Sequence, residues 1–190
     1  MNPRRHTLRG LARGAIALTP LLHAPAFGAV FMDIEQAKKL LLPQASAFVD
    51  VALALNPASL AELAQRSQTT IPRGYAPQAW EAKASQERVG WVLFDRTIGK
   101  YDFIDYAVGF TKDGISTGLE ILAYRESHGG EVRSSPWRKQ FAGKKNADQL
   151  RFHDDIRNIS GATMSCQHVT EGAQRLSVLA QWLMQNKLKA

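Results

Sequence analysis

Apolar positions recur along this chain at two different spacings, and the change of spacing divides it. From Met32 to about Arg66 the spacing is helical. Ile34, Ala37, Lys38 and Leu41 recur at about 3.6 residues until Pro43 breaks the run. Phe48, Val51, Ala52 and Leu55 resume it over Ala45 to Leu55, and Ser59 can cap a short helix from Ser59 to Gln65. Residues 67–87 carry Pro72, Gly74 and Pro77 among scattered polar residues and read as a loop. The period then shortens. Val89 to Arg96 is apolar at Trp91, Val92, Leu93 and Phe94, and Phe103 to Thr111 alternates through Ile104, Tyr106, Val108 and Phe110. Lys112-Asp113-Gly114 supplies a hairpin turn, and Ile115 to Arg125 returns with Leu119, Ile121 and Ala123 on one face. These three segments predict an antiparallel meander.

Downstream, Ser127-His128-Gly129-Gly130 reads as a loop and Pro136 to Phe141 as a short helix with proline in its first turn. Gly143 to Asp148 is polar and reads as surface, and Arg151 to Ile159 reads as extended. A long helix is predicted from about Ala162 to Gln185, with Cys166, Val169, Ala173, Leu176, Ala180 and Leu183 as its apolar stripe. The expected fold class is therefore α+β: an antiparallel sheet, a long C-terminal helix that starts at Ser-Gly-Ala-Thr, and an N-terminal helical segment. The expected organisation is a leader over 1–29, a helical segment and loop over 30–88, and a domain over 89–190.

Charge changes the picture at the N-terminus. The 190 residues carry a formal charge of +7. Residues 1–29 hold Arg4, Arg5, Arg9 and Arg13 and no acid, so the remainder has 20 basic against 17 acidic residues, a charge of +3. That remainder shows no basic stripe interleaved with aromatics, so no nucleic-acid partner is expected. The arginines precede an apolar stretch, Ala15 to Leu22, and small residues at Ala24, Ala26, Gly28 and Ala29. This is the layout of a cleaved export signal. The run is far short of the ~20 apolar residues that a spanning helix needs. Arg4-Arg5-His6-Thr7-Leu8-Arg9 looks like a twin-arginine signal, with Thr7 where that pattern prefers Phe; a general secretory leader is the alternative. The expected location is periplasmic. A single cysteine, Cys166, rules out an intramolecular disulfide and a cysteine-rich metal cluster.

Chemistry gathers at Ser160-Gly161-Ala162-Thr163-Met164-Ser165, between the extended segment and the long helix. The first N–H groups of a helix lack intrahelical partners and face the positive end of its dipole, so a phosphate placed there is held by backbone donors. On helix grammar alone, Ser160 as the N-cap and Thr163 in the first turn explain the same residues without a ligand.

A wider pattern surrounds that motif. Asp155-Ile156-Arg157-Asn158-Ile159-Ser160-Gly161-Ala162-Thr163 resembles the attachment motif of the FMN-binding domain, found in subunits of sodium-pumping quinone reductase and Rnf-type complexes and in small exported flavoproteins. Tyr124 to Arg133 resembles that domain's glycine loop, and Trp137 to Lys144 its next segment. The resemblance runs from about Gly90 to Leu179, with residues 32–89 similar only to the small exported members. It implies that Thr163 carries FMN through a phosphoester. It also implies a periplasmic flavin transferase as maturation partner, using FAD and Mg²⁺ and releasing AMP. Ser160, Gly161, Ala162 and Ser165 would surround the linkage. Glu126, Ser127, Gly129 and Gly130 would form the second flavin contact, with Ser127 in the place of a threonine that meets the ring in relatives. Arg157 stands where many members have aspartate.

The function this implies is an exported electron-transfer flavoprotein that works between membrane or periplasmic redox partners. With no acid/base pair visible, a carrier is favoured over a self-sufficient enzyme. Two other readings stay open: a reductase of a small acceptor with His128 as proton donor, and a non-redox FMN-binding module. Glu131 and Arg133 are either a surface pair or ligands. Cys166 and His168 are two residues apart on a helix, a poor spacing for one metal. Lys139, Lys144 and Lys145 form a solvated face or steer an acidic partner.

Overall fold

The computed structural model describes residues 28–188, so the leader lies outside the described residues except for its last two positions. The elements in order are β1 (Ala29–Val30), α1 (Ile34–Leu41), β2 (Ala47–Val51), α2 (Pro57–Ser67), β3 (Gln78–Ala84), β4 (Glu87–Ile98), β5 (Phe103–Thr111), β6 (Ser116–Tyr124), α3 (Ser135–Arg138) and α4 (Thr163–Met184). The six strands form one antiparallel sheet in the order β1-β6-β5-β4-β3-β2. The fold class is α+β.

Both faces of the sheet are covered, which explains why the apolar run in β4 is continuous rather than alternating. Trp91 and Leu93 enter the main core beneath α4, while Val92 enters a second core beneath α1 with Ala37, Leu41, Trp80 and Leu122. The six stripe residues of α4 all lie in the main core. Burying one such side chain, Leu176 for example, contributes about 1.5–3 kcal/mol.

Four local expectations are corrected. Ala45 to Leu55 is not helical: Ala47–Val51 pairs with β3 as an edge strand, Phe48 opposite Ala82. Its apolar spacing fits either period, and β-branched Val49 and Val51 favour the strand. Residues 67–87 are not all loop, because β3 pairs with β4 through a turn at Ser85 (φ 48°) and Gln86 (φ 72°). That turn has positive φ at both central positions and no glycine, so the usual signal was missing. α2 begins at Pro57, and Asn56, not Ser59, is its N-cap; Ser59 is the reciprocal partner in a capping box. Arg151 to Ile159 is a loop with a single bridge between Phe152 and Ile156, turned by His153 at φ 73°.

Two further details follow from the register. The shift between Asp105 and Tyr106 skips Leu122, which packs into the second core; Tyr124, not Ala123, therefore continues the face of Leu119 and Ile121. The helix expected from Pro136 to Phe141 is α3 followed by a 3-10 turn, Lys139–Phe141.

Candidate functional site

α4 starts at Thr163 with Ala162 as N-cap, and no side chain caps it. Ser160, the expected cap, lies in the preceding turn instead. Gly161 takes φ 84° there, and Ala162 N–H donates to Ile159 O at 3.0 Å. The amides of the first turn are therefore left for another acceptor. Thr163 is exposed, and its Oγ1 accepts from Asn158 Nδ2 at 3.0 Å. Ser165 is buried, its Oγ 2.9 Å from Tyr124 Oη.

Opposite stands the loop that leaves β6. Tyr124 Oη donates to His128 O at 2.5 Å, which bends the loop over the helix start. Gly129 has φ 85°, and a Cβ there would meet Tyr124 Oη at 2.6 Å and Ala162 Cβ at 3.1 Å. Glycine is required at 129 both by conformation and by the approach of the N-cap. Gly130 and Gly161 are different, since a Cβ on either would meet nothing within 4 Å. Open space lies over backbone at those two positions. Burial holds the Tyr124 hydroxyl above its ordinary pKa, against the lowering effect of the Ser165 bond, so it stays a donor.

The expected loop residues separate by role. Ser127 is exposed, with Oγ 2.9 Å from Nδ1 of the exposed His128. The Glu126 carboxylate is already engaged: Oε1 accepts from Tyr101 N at 2.6 Å and Asp102 N at 3.0 Å, holding the β4–β5 turn. Glu131 and Arg133 form no ion pair; the Arg133 guanidinium lies 3.9 Å from the centre of the Phe31 ring.

Two adjoining hollows result. One, of about 480 Å³, holds Thr163 with Lys100, Tyr101 and Met164. The other, of about 730 Å³, is lined by Phe31, Gly129, Gly130, Arg133, Ser160 and others. Ser127, His128 and Gly161 border both. Sequence reasoning missed Phe31, Tyr101 and Asn158, because two of them arrive from outside the motifs and the third is an unremarkable amide within one. A separate hollow of about 730 Å³ lies between residues 72–78 and the end of β4, and no motif residue lines it.

The donor set fits a flavin phosphate: uncapped helix amides, an exposed hydroxyl at the first helical position, and glycine backbone open to a planar group. No His, Cys, Asp and Glu cluster suited to a metal occurs among the described residues. His168 Nδ1 is 2.7 Å from Ile98 O, and burial raises the Cys166 thiol pKa, which keeps it a thiol within the core.

No curated protein matches the chain. Residues 99–177 match the family model of the FMN-binding domain, a span from the β4–β5 turn through the glycine loop and the Ser-Gly-Ala-Thr turn into α4. Residues 99–177 thus match the FMN-binding domain family, and this match supports an FMN-binding flavoprotein.

Proposed function

We propose that the protein is an exported electron carrier that holds FMN as a phosphoester of Thr163 and relays electrons between membrane or periplasmic partners. The observation that carries this reading is Thr163 itself, an exposed hydroxyl at the first position of a 22-residue helix whose N-terminus no side chain caps.

The chain's own groups have defined tasks in this reading. Asn158 holds Oγ1 through its amide, fixing the direction of the hydroxyl. In maturation by a flavin transferase, Thr163 Oγ1 would be the acceptor of the FMN phosphoryl group of FAD, with its proton and AMP as the groups released. The first-turn amides of α4 would hold the phosphoryl oxygens, with the helix dipole favouring their charge by about 0.3–1 kcal/mol. The open backbone at Gly130 would present hydrogen-bonding groups to the ring, with Gly129 letting the loop close on the helix start. The bound flavin supplies the redox chemistry. A covalent link also stops loss of the cofactor in a compartment that supplies little of it.

In-gel fluorescence tests this. Protein made in a periplasm with the transferase should give a flavin-fluorescent band after denaturing electrophoresis, and Thr163→Val should give none. A dark wild-type band with the transferase active contradicts the reading. Reoxidation of the reduced protein by small acceptors no faster than by oxygen supports a carrier; fast turnover with one supports a reductase.

A further inference from the structure

We propose that Phe31 and Arg133 form the binding wall for the isoalloxazine ring, so that the ring lies in the hollow on the β1 side of Gly161 rather than in the one beside Tyr101. This rests on the reading of Thr163 as the attachment point, and adds where the rest of the cofactor goes and what charge it meets.

Phe31 is placed by backbone, not by chance packing. β1 pairs with β6, Val30 opposite Ala123, and Phe31 N–H donates to Leu122 O at 2.8 Å. The strand thus delivers a half-buried aromatic side chain to the rim of the glycine loop. Phe31 lies outside residues 99–177, so the wall comes from the N-terminal extension of this chain.

Arg133 is held at the same place. Its guanidinium stacks on Phe31 at 3.9 Å. Arg96, Arg125, Arg138 and Arg151 each pair with a carboxylate, whereas Arg133 makes no ion pair among the described residues. A guanidinium stacked on an aromatic ring keeps its N–H edge free for an acceptor. The hollow of about 730 Å³ is within the size range of small-ligand sites. It offers an aromatic face, a cation, and at Gly130 and Gly161 backbone with nothing over it. Those are the contacts a planar ring with carbonyl acceptors along one edge requires. The hollow holding Thr163 also offers an aromatic ring and a cation, with Lys100 Nζ 4.8 Å from the Tyr101 ring centre, but Tyr101 is 76% exposed and projects from a turn, whereas Phe31 is half-buried and held by strand pairing. The two hollows meet at Gly161, which leaves a path from Thr163 to the ring.

The charge has a consequence. Uptake of two electrons and one proton leaves the ring one unit more negative than when oxidised, and a cation at its edge stabilises that form. Arg133 therefore raises the potential.

The test uses the flavinylated exported chain, reduced stepwise with dithionite in the presence of indicator dyes. Arg133→Gln should shift the midpoint potential negative by about 30 mV or more, which is a tenfold change in the equilibrium of a two-electron couple. Phe31→Leu should alter visible circular dichroism and raise flavin fluorescence, and should do so more than Tyr101→Leu. Thermal unfolding of each variant checks the fold, and exposed Arg133 keeps the test open if Phe31→Leu loosens β1. Unchanged potential in Arg133→Gln, or a response confined to Tyr101→Leu, overturns the placement. Intact mass reads attachment separately: an adduct with no Arg133 or Phe31 effect sinks this proposal alone. Without an adduct, the attachment reading fails, and riboflavin titration of the same variants decides the placement. Quenching lost in Phe31→Leu and Arg133→Gln supports it, and quenching retained in both overturns it.

Discussion

The hydroxyl of Tyr124, at the end of β6, lies 2.9 Å from Oγ of Ser165 in the first turn of α4, 41 residues later in the chain. The same hydroxyl donates to His128 O, so one side chain ties the glycine loop to the helix that carries Thr163. Tyr124→Phe leaves a buried serine hydroxyl and a loop carbonyl without this partner. Loss of about 1–3 kcal/mol is expected from denaturant titration. The flavin of the loaded variant should also be more fluorescent and more accessible to iodide, because the loop is no longer held.

The three glycines around the site should respond differently. Gly129→Ala combines a φ of 85° with contacts at 2.6 and 3.1 Å, and should destabilise the protein as well as block flavin loading. In Gly130→Ala the new methyl group meets nothing, so the melting temperature should hold while flavin loading falls. Gly161→Ala is intermediate: its φ of 84° costs about 1–2 kcal/mol for an L-residue, without a clash. Differential scanning calorimetry with flavin stoichiometry separates the three.

A second close approach lies deeper. Tyr106 donates to Asp95 at 2.6 Å beneath α4, and a Cβ on Gly172 would fall 1.7 Å from the Tyr106 hydroxyl oxygen. Gly172→Ala should therefore cost about 1–3 kcal/mol or more by overpacking, despite alanine being the better helix former. Pairing it with Tyr106→Phe should recover part of that loss in a double-mutant cycle, since the hydroxyl is what collides.

Acid stability has a nameable contributor. Burial pushes the Asp105 carboxyl up, but bonds from Arg96 and Arg125 outweigh it and hold the carboxyl below the usual range. A depressed carboxylate contributes stability above its unfolded pKa of about 3.9, and that contribution fades as pH falls through the lower folded value. Urea midpoints should drop between about pH 4 and 2. Asp105→Asn should start lower at neutral pH and lose less across that window.

Much of this was legible in the sequence, and what was not has physical causes. The α4 stripe from Cys166 to Leu183 is a long amphipathic pattern, and the β5–β6 hairpin is announced by Asp113-Gly114. β2 and β3 escaped because their evidence is the partner strand: Phe48 and Trp80 become strand residues by pairing, and the turn from β3 to β4 uses Ser85 and Gln86 instead of glycine. The motif located Thr163 and the glycine loop. It could not reveal that Ser160 leaves the cap open, that Glu126 is engaged by the Tyr101 and Asp102 amides, or that Phe31 arrives from β1. Those facts depend on long-range packing.

Arg157, where many relatives have aspartate, is exposed, with its N–H donated to Gln140 and its carbonyl accepting from Trp137 Nε1. The backbone around the motif is thus fixed without an acid at that position, and attachment at Thr163 remains the point on which the account turns. Intact mass of wild-type chain produced with the flavin transferase, beside Thr163→Val, tests it most directly. The account predicts a single FMN phosphoryl adduct on the wild type and none on the variant. Unmodified wild-type protein from cells with active transferase, or an adduct that persists in Thr163→Val, would contradict it.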